Sequence, residues 1–181
     1  MKSISVLFVA TLLFVACSKN DPEIPNEEEL ITTLNYTLTS SSGNTVLLSF
    51  VDLDGDGGTD PVITGGTLVA NETYTGVLTL LNESETPAES ITEEIEEEAE
   101  EHQFFFESSV TGLSIAYTDE DSNGNPIGLK STLTTGAANT GSITIILKHE
   151  PNKSASGVVG GDVTNAGGET DIEVTFPISV E

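Results

Sequence analysis

Apolar residues recur mostly at every second position along this chain. From residue 31, Ile31, Leu34, Tyr36 and Leu38 stand in a threonine-rich frame. The polar run Ser40-Ser41-Ser42-Gly43-Asn44 follows, and Val46-Leu47-Leu48-Ser49-Phe50-Val51 resumes the apolar pattern. Short alternating runs rich in β-branched and aromatic residues, broken by turn formers, predict a β-hairpin. The same reading predicts strands near 66–70, 74–82, 102–107, 113–118, 129–134, 143–149 and 172–180. About nine short strands joined by Gly, Asn and Asp turns favour two packed sheets, because a parallel α/β sheet needs a helix between successive strands. The expected fold is mainly β, an antiparallel β-sandwich of immunoglobulin-like or jelly-roll-like form, with residues 30–181 as one domain.

One stretch departs from the period of two. Thr86-Pro87-Ala88-Glu89 and Ser90-Ile91-Thr92-Glu93 both have the capping-box form, and the acidic run 93–101 follows. Ile91, Ile95 and Ala99 recur every four residues, which predicts one inserted helix lying on the sandwich by a narrow apolar stripe. Like charges at 93/97, 94/98, 96/100 and 97/101 oppose that helix by roughly 0.2–0.5 kcal/mol per pair. A cation or a basic partner would relieve the repulsion, and so would solvent and salt.

The first sixteen residues read differently again. Lys2 precedes an apolar run from Ile4 to Ala16, shorter than the roughly 20 residues a membrane-spanning helix needs, as in a secretory signal peptide. Val15-Ala16 before Cys17 resembles the lipobox of bacterial lipoproteins, with Phe14 in place of the usual Leu. Cys17 is thus the expected lipidation site, and the polar, acidic, Pro-containing residues 17–29 form a tether. Cys17-Ser18-Lys19-Asn20-Asp21 is similar to a surface-export signal of some Gram-negative lipoproteins, with Asn20 at one of its acidic places. The expected location is the outer membrane, on the periplasmic face or at the cell surface.

Charge narrows the partners. Thirty Asp and Glu stand against five Lys, a formal net charge of −25, so nucleic acid is excluded for want of a cationic footprint. One Cys rules out a disulfide framework and a multi-Cys metal cluster.

The acids form two motifs of alternating oxygen donors. Asp52-Leu53-Asp54-Gly55-Asp56-Gly57 and Asp119-Glu120-Asp121-Ser122-Asn123-Gly124 both have the form D-x-D-x-[DN]-G of calcium loops. Asp60 holds the ninth position of the first loop, whereas Ile63 and Lys130 stand at the twelfth, so neither loop is an EF-hand. Candidate calcium ligands are therefore Asp52, Asp54, Asp56 and Asp60 in one loop and Asp119, Asp121 and Asn123 in the other. The alternative is that these residues brace tight turns through side-chain to backbone hydrogen bonds.

Both histidines sit beside carboxylates at element ends: His102 after Glu100-Glu101, and His149 before Glu150. With Glu97, Glu101 and Glu150 they make a candidate zinc-type set, provided that the fold brings His102 and His149 together. The Gly-rich stretch 151–170 is expected to be a long loop, either a binding surface or disordered. Enzyme motifs are mostly missing. His149-Glu150-Pro151-Asn152-Lys153 starts like H-E-x-x-H, but Pro151 breaks a helix and Lys153 replaces the second His. The chain is read as a binding protein and not an enzyme.

The stretches 52–57, 82–95, Glu101-His102-Gln103, 124–129 and His149-Glu150-Pro151-Asn152-Lys153 resemble those of a family of small Gram-negative lipoproteins often labelled "type 1 periplasmic binding fold superfamily". That label implies a two-lobed α/β substrate-binding protein, whereas the strand pattern here predicts a sandwich. The resemblance assigns no residue a role and implies an outer-membrane uptake setting. The leading expectation is a lipid-anchored protein capturing a divalent cation, zinc or calcium, and serving an outer-membrane transporter. The other is a structural or adhesive surface module that contacts protein or glycan, with calcium only stabilising its loops.

Overall fold

The computed structural model describes residues 30–55 and 58–181. The apolar leader, Cys17, the tether 17–29 and Asp56 lie outside the described residues. The described chain forms the two-sheet β-sandwich that its alternation predicts. The first sheet holds β1 (Thr33–Ser40), β2 (Thr45–Val51), β3 (Val62–Thr64), β5 (Thr73–Leu81), β7 (Ser114–Tyr117) and β8 (Lys130–Thr134), in the order β3-β2-β1-β5-β8-β7. The second holds β4 (Gly66–Leu68), β6 (His102–Ser108), β9 (Asn139–His149) and β10 (Glu169–Val180), in the order β4-β10-β9-β6. The pairings are antiparallel except that of β10 with β4, which makes the second sheet mixed.

Alternation does the sorting. In β5, Tyr74, Leu78 and Leu80 are buried while Thr73, Thr75, Val77 and Thr79 face out, because successive side chains leave a strand on opposite faces. Leu34, Tyr36 and Leu38 of β1 pack with Phe104, Ile143, Ile145, Leu147, Val174 and Phe176 from the opposite sheet in one core. Each such side chain contributes about 1.5–3 kcal/mol through area removed from water. Tyr36 carries a hydroxyl into this core and shares a 2.7 Å hydrogen bond with Ser131 Oγ. Gly76 makes room for it: a Cβ there would lie 2.5 Å from the Tyr36 hydroxyl.

β3 and β4 are a single run of chain that changes sheets at Gly65. A Cβ at Gly65 would lie 2.0 Å from the carbonyl oxygen of Pro177, so only glycine lets this corner approach β10. β3 is a strand that the periodicity does not predict, since all three of its residues are exposed and no apolar alternation marks them.

The inserted helix forms where its second capping box places it. Ser90 is the N-cap, with its hydroxyl accepting from the Glu93 N–H, and α1 spans Ile91–Glu97. Ile91 and Ile95 are buried and Ala99 packs against the same core. Thr92 Oγ1 both accepts from the Leu80 N–H and donates to the Leu80 carbonyl, tying α1 to β5. The first capping box starts no helix: Asn82 and Glu89 instead form a short antiparallel bridge. The helix also stops at Glu97, short of the expected 101, because Glu98 leaves helical geometry and the chain turns through a Glu101 N–H bond to the Glu98 carbonyl.

The stretch 151–170 is neither structureless nor disordered. It folds into two short 3-10 turns, Val158–Gly160 and Val163–Asn165, and covers the outer face of the second sheet. Val158 and Ala166 pack on Phe105 and Ile146 in a second, smaller apolar cluster. Buried Gln103 donates from Nε2 to the Val158 carbonyl at 2.9 Å. Among the described residues no helix is long and apolar enough to cross a membrane.

Candidate functional site

The two histidines stand opposite each other. His102 begins β6, His149 ends β9, and the antiparallel register pairs them directly. Their parity with Phe104 and Leu147 places them at the end of the core-facing side of the second sheet. The rings stack with centroids 4.6 Å apart and planes 13° from parallel. His102 is fully buried and His149 is 7% exposed. His102 Nδ1 lies 3.2 Å from the carbonyl oxygen of Glu98, in the turn that follows α1. Burial lowers the pKa of His102 below its ordinary value, more than the Glu98 carbonyl raises it, and the neighbouring His149 ring lowers it further.

The pairing continues one step past the histidines. The Glu150 N–H donates to the Glu101 carbonyl at 2.6 Å, so the residues flanking the His pair are held side by side. Glu150 adopts a left-handed φ of 48° to do so, and glycine at 168 lets the returning segment pass within contact of the His149 and Glu150 backbone. His149 Nε2 is 3.7 Å from Glu101 Oε2. Among the described residues, Glu101, His149 and Glu150 bring one donor atom each to within 4.8 Å of one another. Of the zinc-type set read from sequence, the fold thus assembles these three, with His102 stacked behind them. Glu97 lies apart, on the wall of an adjoining cleft.

That cleft, of about 410 Å³, is lined by residues 96–101 of the acidic turn together with Glu120, Asp121 and Ser122. The same crowding acts on Glu94, whose carboxyl is pushed up by burial first and then by Glu89, Glu98 and Glu97.

Beside the cleft lies a residue whose role the sequence did not announce. Lys153 is buried, and its Nζ donates to the Ala99 carbonyl at 2.6 Å, to Asp121 Oδ2 at 2.9 Å and to the Pro126 carbonyl at 3.2 Å. An ammonium therefore occupies an oxygen cage built partly by the second acidic loop. Its only sequence cue is a lysine in a Gly-rich stretch of a chain that has five.

The acidic loops use their carboxylates to brace turns. Asp121 Oδ1 accepts from the N–H groups of Asn123 and Asn125, both at 2.9 Å. Asp119 accepts from the N–H of Gly128 with one oxygen and from that of Lys130 with the other. Asn123 is exposed. Burial pushes the Asp121 carboxyl up, but the Asn125 N–H and the Lys153 ammonium outweigh it and hold the group below its ordinary range. In the first loop Asp52 Oδ1 accepts from the Gly55 N–H and Asp54 Oδ2 from the Thr59 N–H, while Asp60 is exposed. The Thr59 bonds hold the Asp54 carboxyl below its ordinary pKa.

No family model and no curated protein matches the chain. Among solved structures it is similar to the crystal structure of the S-layer protein SbsC domains 4 and 5, at 17% identity over 80% of this chain and 75% of that one. The TM-score is 0.27, and so loose a likeness carries no inference about role.

Proposed function

We propose that this chain is a lipid-anchored, extracytoplasmic structural module that meets protein or glycan at the cell surface through the segment 151–170. The observation that carries this reading is the way the segment is built. Lys153 is locked into an oxygen cage, Val158 fills an apolar pocket, and Gln103 holds the Val158 carbonyl. Pinned at these points, the segment presents an ordered outer surface on which Val159 is 48% exposed and Thr164 and Asn165 face solvent. A preorganised surface loses little conformational freedom when it binds, which favours contact.

The apolar leader and Cys17 support attachment to a membrane by acylation, with residues 17–29 as the tether. The bracing of the acidic loops by backbone N–H groups and by Lys153 supports a scaffold that holds its shape without calcium. Capture of calcium for a transporter is the less supported reading, because Asp52, Asp54, Asp119 and Asp121 are committed to backbone N–H groups of the fold.

Cells displaying the full chain test this reading on panels of immobilised glycans and glycoproteins. Adhesion is expected to survive chelator and the replacements Glu97→Gln and Glu100→Gln, and to fall with Val159→Asp or Asn165→Ala. Adhesion that is lost on chelation or glutamate neutralisation, yet indifferent to residues 159 and 165, overturns it. Cys17→Ser is expected to release the protein from the membrane fraction; a variant that stays bound removes the lipid anchor from the proposal.

A further inference from the structure

The site at the end of β6 and β9 has a chemistry of its own, independent of the surface-module reading. We propose that Glu101, His149 and Glu150 bind one divalent transition-metal ion of the zinc class, with His102 as the residue that positions the His149 ring.

Three features argue for it. The first is the donor set: one imidazole and two carboxylates suit Zn²⁺ and its first-row neighbours, whereas calcium takes oxygen ligands alone. The second is geometry. The three donor atoms lie within 4.8 Å of one another. Around a tetrahedral ion with bonds of about 2.0–2.2 Å, donors stand roughly 3.4 Å apart, so the group must contract by about 1.4 Å at most. Both glutamates are exposed and have rotatable side chains to make that movement, while the buried His149 supplies the fixed point.

The third is what surrounds the site. His102 lies flat against His149 at a centroid distance of 4.6 Å and is itself placed by β6, so the orientation of the His149 ring is set before any ion arrives. A ring held flat against its neighbour in this way limits the rotations open to His149 and so narrows the directions in which its nitrogen can meet an ion. The backbone bond from Glu150 to Glu101 holds the two residues side by side, and a divalent ion would neutralise the repulsion between their carboxylates when these turn toward His149. The neighbouring cleft, lined by Glu96, Glu97, Glu98 and Glu100, raises the local concentration of cations. Three protein ligands leave a position open, which describes a site that exchanges its ion or shares it with a further ligand.

The test uses the detergent-solubilised full chain, stripped with chelator and titrated with Zn²⁺ alone by calorimetry, then with Co²⁺ followed by visible absorption. The expected result is one equivalent of zinc, a cobalt spectrum of low-coordinate type, and no competition from calcium. Glu150→Gln and Glu101→Gln change exposed groups and should keep the fold, yet each is expected to weaken zinc binding by about tenfold or more. His149→Ala should abolish it, and Asp54→Asn, in the first acidic loop, should leave it unchanged. No zinc binding by the parent overturns the proposal. So does binding that Glu150→Gln and Glu101→Gln leave intact, or equal affinity for calcium.

Discussion

The ammonium of Lys153 stands 2.9 Å from Asp121 Oδ2, with the Asp121 side chain wholly removed from solvent and that of Lys153 nearly so. Two carbonyls, of Ala99 and Pro126, complete the ammonium's hydrogen bonding. The pair joins three parts of the chain: the turn after α1, the second acidic loop and the segment 151–170. Removing one partner strands the other's charge in a site that water does not reach. Lys153→Met is therefore expected to destabilise by about 3–5 kcal/mol in urea unfolding. The double variant Lys153→Met/Asp121→Asn should cost less than the two single changes added together. A loss below about 1 kcal/mol for Lys153→Met would show that the pair is not a fastening.

Acid should loosen the same fastening. The Asp121 carboxyl is held below its ordinary value of 3.8 in the folded chain, so the unfolded chain takes up a proton first as pH falls. Its contribution is complete above that ordinary value and is lost as pH drops through the lower, folded one. Urea midpoints measured from pH 6 to pH 2 should therefore fall more steeply for the parent than for Asp121→Asn at the acid end. Parallel curves would exclude Asp121 as a source of acid sensitivity.

At the alkaline end Tyr36 is the reporter. Burial pushes its phenol up to about 12, against a smaller lowering by the Ser131 hydroxyl. A raised folded value means stability that is complete below the ordinary 10.0 and lost as pH rises through about 12. Burial raises the Tyr117 phenol too, so absorbance titration of the tyrosines should show late ionisation that shrinks in Tyr36→Phe by the amplitude of one phenol. A parent in which every phenol ionises near pH 10 contradicts this.

Gly65 tests the corner between the sheets. Gly65→Ala puts a methyl against the Pro177 carbonyl and should cost about 1–3 kcal/mol or more. Gly160→Ala is the control, because a Cβ there meets nothing within 4 Å. Equal melting temperatures for the two variants would mean that the corner relaxes freely.

Much of this architecture is legible in the residue pattern. Alternation identifies both hairpin strands and places Tyr74, Leu78, Val174 and Phe176 inward, because a half-buried strand must alternate. It misses β3, whose Val62-Ile63-Thr64 is exposed throughout. The apolar stripe reaches Ala99 and so overstates α1: Ala99 does pack on the core, but from a turn and not from a helix. Both His residues are readable as strand ends next to carboxylates. Their stacking is not, because it depends on a register between strands far apart in sequence. The role of Lys153 is hidden for the same reason, as its carboxylate partner lies 32 residues away.

The position of β1 in the first sheet decides how the molecule bears load. It lies between β2 and β5, and the ladders begin just ahead of it, where the Thr32 N–H bonds to the Leu81 carbonyl and the Thr32 carbonyl accepts from the Asp52 N–H. A tension applied at residue 30 along the strand would pull β1 lengthwise past both neighbours. Every rung on either side would then resist together, instead of opening one after another as at a sheet edge. A chain held by its front end in moving fluid would take the drag on a central strand, where rupture requires two ladders to slide at once.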